Sequence, residues 1–516
     1  MKNQDERFVA AIDQGTSGTR CVVFDQNGAV KSYAYAAHMQ IYPKPGWVEH
    51  DPIEIWKKTK AVIRKALKKA LLEPKQIAAV GITNQRETAM LWDAKTGRPL
   101  YNAIVWQDTR TGDLCERLKD ENEDIIRRKT GLPLSSYFSS TKLQWMLNHL
   151  PGARERADKG EILFGNVDTW LIWNLMQRKN GSAGTPAHVT DYTNASRTML
   201  MDIEKLSWSG DLLELFKIPE TILPEIRPSS DRNIYGYTAI DGPFTYEIPI
   251  CGDLGDQQSS LFGHLCFESG ETKNTYGSGS FLLQNTGASL IFSRHGLVTT
   301  VAYGLEEKKV SYALEGSIAV TGMAVRWLEE NLGVIGGPTD VERLAKSVSK
   351  VGSAGVYFVP AFTGLYAPYW DRKARGLIIG LTQYTRAEHI VHAALEAICY
   401  QTRDVFESMQ EDTGMRIRSL KVDGGATVND YLMQLQADVL GRVIIRPKIR
   451  EMTAAGAAYA AGLAIGVWRG TADIRKLWRK DRTFEPRWDE DKREGKYTGW
   501  RRAVERAKGW MTQDAH

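Results

Sequence analysis

The chain opens with two short apolar runs that are separated by a polar turn rich in glycine. The run 8–12 ends at Asp13, the turn continues to Gly18, and apolar residues resume at Val22. This spacing predicts a strand, a turn and a second strand, because both flanking runs are short and apolar. The turn offers backbone N–H groups and hydroxyls that suit a phosphate group, although ordinary hairpin turns have the same composition.

The common nucleotide-binding motifs do not account for this turn. No G-x-x-x-x-G-K-S/T segment occurs in the chain, and a P-loop or a dinucleotide-binding turn would lead into a helix rather than a strand. The carboxylate of Asp13 stands at the end of the first predicted strand, where it could face a metal-bound phosphate. The hairpin therefore predicts phosphate binding of a different kind.

A second hairpin of the same type is predicted in the middle of the chain. The strand-like runs 272–276 and 280–284 flank the turn Gly277–Ser278–Gly279. A strand-like run at 419–422 then ends in Asp423–Gly424–Gly425–Ala426, where two glycines would let a flat ligand approach the backbone. The repetition predicts a duplicated α/β unit, with domains 1–264 and 265–516 gripping a nucleotide between them.

Periodicity and turn residues also predict the intervening elements. A basic amphipathic helix is expected at 52–72, and a strand at 77–82 that ends in a polar segment, where α/β sheets usually bind ligands. The remaining expectations are helices at 142–150 and 169–177, an exposed loop at 180–186, a helix starting near Asn429, and a buried helix at 391–406 that lies at the domain junction.

Composition narrows the class of protein without identifying it. The chain has 516 residues, 42% of them hydrophobic and 25% charged, and a net charge of +5, which indicate a globular protein of two or three domains. Because the net charge is small and the charged residues are mixed along the chain, the sequence gives no reason to expect binding to nucleic acid or to an anionic membrane. Five scattered cysteines without a C-x-x-C pair, a polar amino terminus and the absence of a long apolar run predict a cytoplasmic protein without a transmembrane segment.

Two polar segments are the candidates for chemistry, and the first of them follows the strand predicted at 77–82. Arg86 and Glu87 place five N–H donors beside an acceptor, which suits a vicinal diol, but they could reach one ligand only where the strand is irregular. In Gly255–Asp256–Gln257, a carboxylate followed by an amide could hold two adjacent hydroxyls. Each segment is also compatible with a solvated charge pair or a surface turn.

Taken together, these segments resemble the actin, Hsp70 and hexokinase-like ATPase superfamily, and within it the FGGY family of carbohydrate kinases. The resemblance covers nearly the whole chain and points to the members of that family that phosphorylate glycerol. It is carried by the segments 84–88, 137–149, 255–258, 360–364, 367–370, 376–380 and 389–396.

The resemblance implies a fold, a reaction and the residues on the polyol side. The fold is α/β, with two duplicated ribonuclease-H-like domains of the actin-like ATPase type around a central cleft. The reaction is transfer of the ATP γ-phosphoryl group to glycerol, with Asp256 as the general base. The implied glycerol contacts are Arg86, Glu87, Tyr137, Asp256 and Gln257, with Trp106 and Phe281 as an apolar wall.

On the nucleotide side, the resemblance implies Mg²⁺ and ATP held between the two hairpins, with Asp13 organising the metal ion through water. The implied ATP contacts are Thr16, Ser17, Gly18, Arg20, Ser278, Gly322, Arg326, Gly425 and Asn429. Homodimers or homotetramers are usual in the family. Ser278 and Arg326 depart from the Thr and Gln that are common in bacterial relatives. The segment 241–247 lacks the glycine-rich loop with Arg of relatives inhibited by fructose 1,6-bisphosphate, so we expect no such inhibition.

Two alternatives remain open to the sequence. One is another FGGY kinase that acts on a ketose or a sugar acid, such as xylulose or gluconate. The other is an ATPase of the actin and Hsp70 superfamily that is not a kinase and needs no polyol site. Arg86, Glu87 and the aromatic wall favour a three-carbon polyol.

Overall fold

The computed structural model describes residues 6–177 and 186–511. In the first half, the strands are β1 (Phe8–Gly15), β2 (Gly18–Phe24), β3 (Val30–Ala37), β4 (Glu49–His50), β5 (Ile77–Asn84), β6 (Met90–Asp93), β7 (Ala103–Ile104), β8 (Ile162–Gly165), β9 (Val189–Asp191), β10 (Met201–Asp202), β11 (Ser207–Trp208), β12 (Glu225–Arg227), β13 (Gly236–Tyr237) and β14 (Pro249–Gly255). The helices are α1 (Pro52–Ala70), α2 (Gly112–Thr130), α3 (Ser139–His149), α4 (Ala153–Asp158), α5 (Val167–Met176), α6 (Tyr192–Ala195), α7 (Gly210–Phe216) and α8 (Asp256–Gly263).

In the second half, the strands are β15 (Thr272–Tyr276), β16 (Ser280–Gly287), β17 (Val298–Glu306), β18 (Lys309–Ile318), β19 (Tyr357–Val359), β20 (Leu377–Ile379), β21 (Ser419–Asp423), β22 (Val443–Pro447) and β23 (Lys480–Phe484). The helices are α9 (Gly322–Glu330), α10 (Pro338–Ser347), α11 (Ala387–Thr413), α12 (Asp430–Leu440), α13 (Met452–Ala464), α14 (Thr471–Arg475) and α15 (Glu490–Ala507). Short 3₁₀ turns occur at Pro74–Gln76, Glu220–Ile222 and Gly425–Val428.

The two halves contain sheets with the same central topology. The first sheet has the order β13-β14-β5-β1-β2-β3, and the second has the order β17-β18-β16-β15-β21-β22-β23. In each, an antiparallel hairpin (β1–β2 or β15–β16) is followed across the sheet by two parallel neighbours (β5 and β14, or β21 and β22). This repetition confirms the predicted duplication of an α/β unit, while the boundary between 264 and 265 stays a prediction.

Local signals account for several correctly predicted elements. Helix α1 begins where the Asp51 carboxylate accepts a hydrogen bond from the Ile53 N–H, with Pro52 in the first turn, and it ends at Leu71 in the left-handed conformation. Both glycine hairpins form as predicted, and Asn429 caps α12. The predicted loop at 180–186 lies outside the described residues except for Pro186.

The helix predicted at the domain junction lies elsewhere. The segment 391–406 is inside α11, which packs on β16, β18 and β19 and belongs to the core of the C-terminal domain. Helix α13 occupies the junction instead and packs on α8, β5 and β14. Its small side chains allow this approach: a Cβ on Gly456 would lie 1.8 Å from the Ser259 carbonyl oxygen. Periodicity indicated burial of 391–406, but not its partner.

The five cysteines are all unpaired and buried, in agreement with the expectation that they form no disulfide framework. Within residues 6–177 and 186–511, none of the helices is long and apolar enough to cross a membrane.

Candidate active site

The backbone turns sharply just after β5, where Arg86 adopts the left-handed conformation with φ of 50°. This is the irregular strand end that two adjacent side chains need to face the same ligand. Both side chains are buried, and both enter one ion-pair cluster. The structure therefore brings Arg86 and Glu87 together at an irregular strand end, the condition that the sequence analysis set for their reaching one ligand.

That cluster is a closed ring of two arginines and two glutamates. Arg86 donates from both terminal nitrogens to Glu315, with an Nη2–Oε1 distance of 3.1 Å. Arg197 donates from Nη2 to Glu315 at 3.0 Å and from Nε to Glu87 at 2.7 Å. The side chains are 2% exposed or less, and the ring is electrically neutral, as buried charges require.

Asp256 lies against this ring at the first residue of α8. Its Oδ1 is 3.2 Å from Arg86 Nε and accepts a hydrogen bond of 2.7 Å from the Gln257 N–H. Burial raises the pKa of the Asp256 carboxyl to about 6; Arg86 opposes that rise and Glu87 adds to it. The side chain keeps 26% of its surface exposed, so it is open to a ligand.

Gln257 is held by a lysine from the other sheet. Lys273 in β15 donates from Nζ to the Gln257 side-chain oxygen at 2.6 Å and to Thr275 Oγ1 at 2.9 Å. Burial lowers the pKa of Lys273 to about 8, against the opposing effect of nearby carboxylates, chiefly Asp423. Asp256 and Gln257 therefore lie where the two domains meet.

Aromatic rings close another side of the same space. The ring centre of Trp106 lies 5.3 Å from that of Tyr137 and 6.4 Å from that of Phe281, and Arg86 lies over the Phe281 ring at 5.6 Å. Trp106 Nε1 also donates to Thr16 Oγ1 at 2.9 Å. The predicted apolar wall thus joins the first hairpin to β16 of the second.

The first hairpin carries an ion pair two positions from its turn and hydroxyls at its tip. Asp13 Oδ2 is 2.9 Å from Arg20 Nη1, and Arg20 Nε is 3.8 Å from Glu451 at the start of α13. Ser17 is exposed at the turn, while Gly18 is buried against the Tyr35 side chain. The polar tip is therefore available for a ligand.

The second hairpin lies beside the residues predicted for the nucleoside. The Ser278 carbonyl accepts from the Thr321 N–H at 2.8 Å, and the Gly277 carbonyl accepts from the Gly322 N–H at 3.1 Å, which joins the turn to the start of α9. Gly424 packs on the Tyr276 backbone, so the turn containing Gly425 lies against the same hairpin. Asn429 follows at the start of α12. The fourth predicted residue, Arg326, is 68% exposed on α9 and lies 3.9 Å from Glu330.

The sequence analysis did not single out three charged residues of this site, namely Arg197, Lys273 and Glu315. The signal for two of them is a charge inside an otherwise buried strand, since Lys273 is in β15 and Glu315 is in β18. Arg197 follows a short helix, and no pattern marks it.

Comparisons with known proteins identify the family to which the chain belongs. The model of the N-terminal domain of the FGGY family of carbohydrate kinases matches residues 8–263, and that of the C-terminal domain matches residues 272–465. The chain therefore belongs to the FGGY family of carbohydrate kinases. This membership excludes the alternative of a chaperone or filament ATPase.

The chain is also similar to several individual kinases. The chain is 53% identical to a glycerol kinase of Beijerinckia indica over 99% of this chain and 100% of the relative, and 53% identical to glycerol kinase 2 of Thermotoga maritima over 98% and 99%. A crystal structure of Plasmodium falciparum glycerol kinase with ADP superposes with a TM-score of 0.89 at 38% identity, covering 97% of this chain and 98% of that one. A gluconate kinase of Lactobacillus acidophilus shares the fold, with a TM-score of 0.84, 21% identity and coverage of 98% and 97%.

Proposed function

We propose that this protein transfers the γ-phosphoryl group of ATP to glycerol and forms sn-glycerol 3-phosphate. The observation that carries the proposal is the position of Asp256, a partly open carboxylate 3.2 Å from Arg86 beside the aromatic wall. The resemblance to glycerol kinases of matching length supports the choice of polyol.

In the proposed complex, Arg86 and Glu87 exchange hydrogen bonds with the glycerol hydroxyls. Each hydroxyl both donates and accepts, so a guanidinium beside a carboxylate satisfies two neighbouring hydroxyls. Tyr137 and Gln257 complete the polar contacts, while Trp106 and Phe281 contact the carbon chain. These contacts hold one terminal hydroxyl beside Asp256.

Asp256 acts as the general base in this proposal. Its carboxylate accepts the proton of the terminal hydroxyl while that oxygen forms a bond to the γ-phosphorus and the bond to the ADP oxygen breaks. Gln257 and Arg86 fix the carboxylate through their contacts with Oδ1. Holding the reacting groups in line supplies much of the acceleration in such transfers.

The reaction is expected to depend on pH through Asp256. Only the ionised carboxylate accepts a proton, and the pKa of Asp256 is about 6. We therefore expect kcat/KM for glycerol to rise with pH by about tenfold per unit below this pKa and to level off above it. A pH profile measures this, and recovery of activity after return to the plateau pH excludes denaturation. A flat profile through this range would contradict the assignment.

We assign the phosphates of ATP to the two hairpins, with contacts from Thr16, Ser17, Gly18, Arg20 and Ser278. The nucleoside is assigned to the neighbouring turns, where Gly322, Arg326, Gly425 and Asn429 are available. Backbone N–H groups in such turns form concave sites for anions.

Mg²⁺ fits the donors present, with Asp13 as the proposed protein group that orients its water ligands. Mg²⁺ in phosphoryl transfer is usually held by one or two carboxylates, waters and the phosphates themselves. Within the part of the chain that the structure describes, no cluster of three or more His, Cys, Asp or Glu side chains could hold a metal ion. When bound, the ion would neutralise charge on the phosphates.

A methyl group at Gly279 is expected to weaken ATP binding. A Cβ there would lie 2.3 Å from the Ile318 carbonyl oxygen, so Gly279→Ala must displace the second hairpin. We expect KM for ATP to rise about tenfold or more, because even small shifts of positioning groups are costly. The matched control is Ser278→Thr, which keeps the hydroxyl on an exposed position and should change KM little. Equal KM values for Gly279→Ala and the parent would argue against this hairpin as a phosphate site.

Substrate comparison tests the proposed function directly. Purified enzyme with Mg²⁺ and ATP is given glycerol, xylulose or gluconate, and ADP formation is measured. The proposal expects the highest kcat/KM with glycerol. Higher kcat/KM with xylulose or gluconate would instead support the other type of FGGY kinase.

A homodimer or homotetramer, a cytoplasmic location and the absence of fructose 1,6-bisphosphate inhibition stay predictions.

A further inference from the structure

Glu315 is the one member of the buried ring that belongs to the C-terminal sheet, in β18, whereas Arg86, Glu87 and Arg197 belong to the N-terminal half. We propose that Glu315, acting through Arg86 and Arg197, is a positioning residue that orients the glycerol-binding side chains across the domain interface. This inference rests on the proposed function and assigns to that site a specificity determinant from the second domain.

The first step is the orientation of Arg86. Both terminal nitrogens of its guanidinium are engaged by Glu315, and Nη1 also reaches Gln258 Oε1 at 3.3 Å. A guanidinium is planar and rigid, so a two-point contact on one edge determines where the remaining N–H groups point. The Nε group is thereby directed to Asp256, at 3.2 Å. Glu315 thus determines how Arg86 faces both the general base and the polyol.

The second step is the contact of Arg197 with other residues of the glycerol site. This residue connects Glu315 to Glu87, with distances of 3.0 Å and 2.7 Å, and its guanidinium carbon lies 5.9 Å from the Tyr137 ring centre. One carboxylate therefore reaches, directly or through Arg197, three of the residues proposed to contact glycerol. They are Arg86, Glu87 and Tyr137.

The charge of Glu315 is essential to this arrangement. Burial acts to raise the pKa of its carboxyl, but Arg197 and Arg86 outweigh burial and lower the pKa to about 2, so the group is ionised at neutral pH. A glutamine of the same shape could accept through one oxygen only and would turn an NH₂ group toward N–H donors. Glu315→Gln should therefore misalign the guanidinium groups while filling the same volume.

The test uses kinetics of Glu315→Gln, Glu315→Asp and Arg197→Lys in the full-length enzyme. We expect KM for glycerol to rise about 10- to 100-fold in Glu315→Gln, the range for losing hydrogen bonds to a charged group. KM for ATP should change by less than about threefold, because the residues assigned to ATP include no member of the ring. The matched control is Glu306→Gln in β17, an exposed glutamate paired with Lys309.

A second measurement separates positioning from general destabilisation. Propane-1,3-diol is glycerol without its central hydroxyl, and a site built to bind that hydroxyl rejects the analogue strongly. We expect the preference for glycerol over the analogue, as a ratio of kcat/KM values, to fall about tenfold or more in Glu315→Gln and in Arg197→Lys. Glu315→Asp should retain part of the preference because it keeps the charge.

The inference would be overturned if a folded Glu315→Gln enzyme kept the parent preference for glycerol, even if kcat/KM fell equally with both substrates. If Glu315→Gln does not fold, the ratio of kcat/KM for glycerol to that for propane-1,3-diol is measured in Glu315→Asp and Arg197→Lys instead. The inference is overturned if this ratio equals the parent value in both variants. A parent enzyme without glycerol-dependent ADP formation would refute the proposed function itself. That result is distinguishable because it appears before any substitution is made.

Discussion

Asp256→Asn is expected to lower kcat by about 10²- to 10⁴-fold, the usual contribution of a general base. The substitution preserves the size of the side chain but removes the group that accepts the glycerol proton. KM for ATP should change little, because the phosphates are assigned to the hairpins. Steady-state kinetics with glycerol and ATP measure both quantities.

The matched control is Asp113→Asn, which makes the same chemical change on the exposed face of α2 and should leave kcat unaltered. A kcat near the parent value in Asp256→Asn would show that the proton leaves by another route. The mechanism proposed for this site would then be wrong.

Arg86→Met should have the largest effect on stability. The substitution removes one cation from the buried ring and leaves Glu315 and Glu87 to share Arg197. Breaking a buried ion pair on one side costs about 3–5 kcal/mol of unfolding free energy, because the remaining charge is poorly compensated. Denaturant-induced unfolding measures this change in the free energy of unfolding. Glycerol-dependent activity should be lost as well.

Arg343→Met provides the comparison, since that arginine is 68% exposed and pairs with Asp340 on the surface. A surface pair is worth only about 0–1 kcal/mol. Adding Glu315→Leu to Arg86→Met should recover part of the lost stability, because an apolar replacement removes the uncompensated charge. Equal stability of Arg86→Met and Arg343→Met would contradict the account of the ring.

The hairpins and helix ends were predictable because their signals are local. A glycine turn between two apolar runs specifies β1–β2 and β15–β16, and Asp51–Pro52 marks the start of α1 within two residues. The polar strand end containing Arg86 could also be recognised as a candidate site. The sequence analysis required an irregular strand end for Arg86 and Glu87 to reach one ligand, and the positive φ of Arg86 supplies it.

The partners of those residues could not be predicted from spacing. Arg86 and Glu315 are separated by 229 positions, and only the packing of the two halves of the chain brings them together. The same limit applies to 391–406, whose apolar period indicates a buried helix in either domain. Family resemblance supplied the residues that contact a ligand, but not the charges that orient them.

The central claim is that this site phosphorylates glycerol. The most direct measurement follows ADP formation by the purified enzyme with Mg²⁺ and ATP, with and without glycerol, and identifies the phosphorylated product by its stereochemistry. The account predicts glycerol-dependent ADP formation with one sn-glycerol 3-phosphate made for each ADP. ADP formation at the same rate without glycerol, or no glycerol phosphate product, would contradict it.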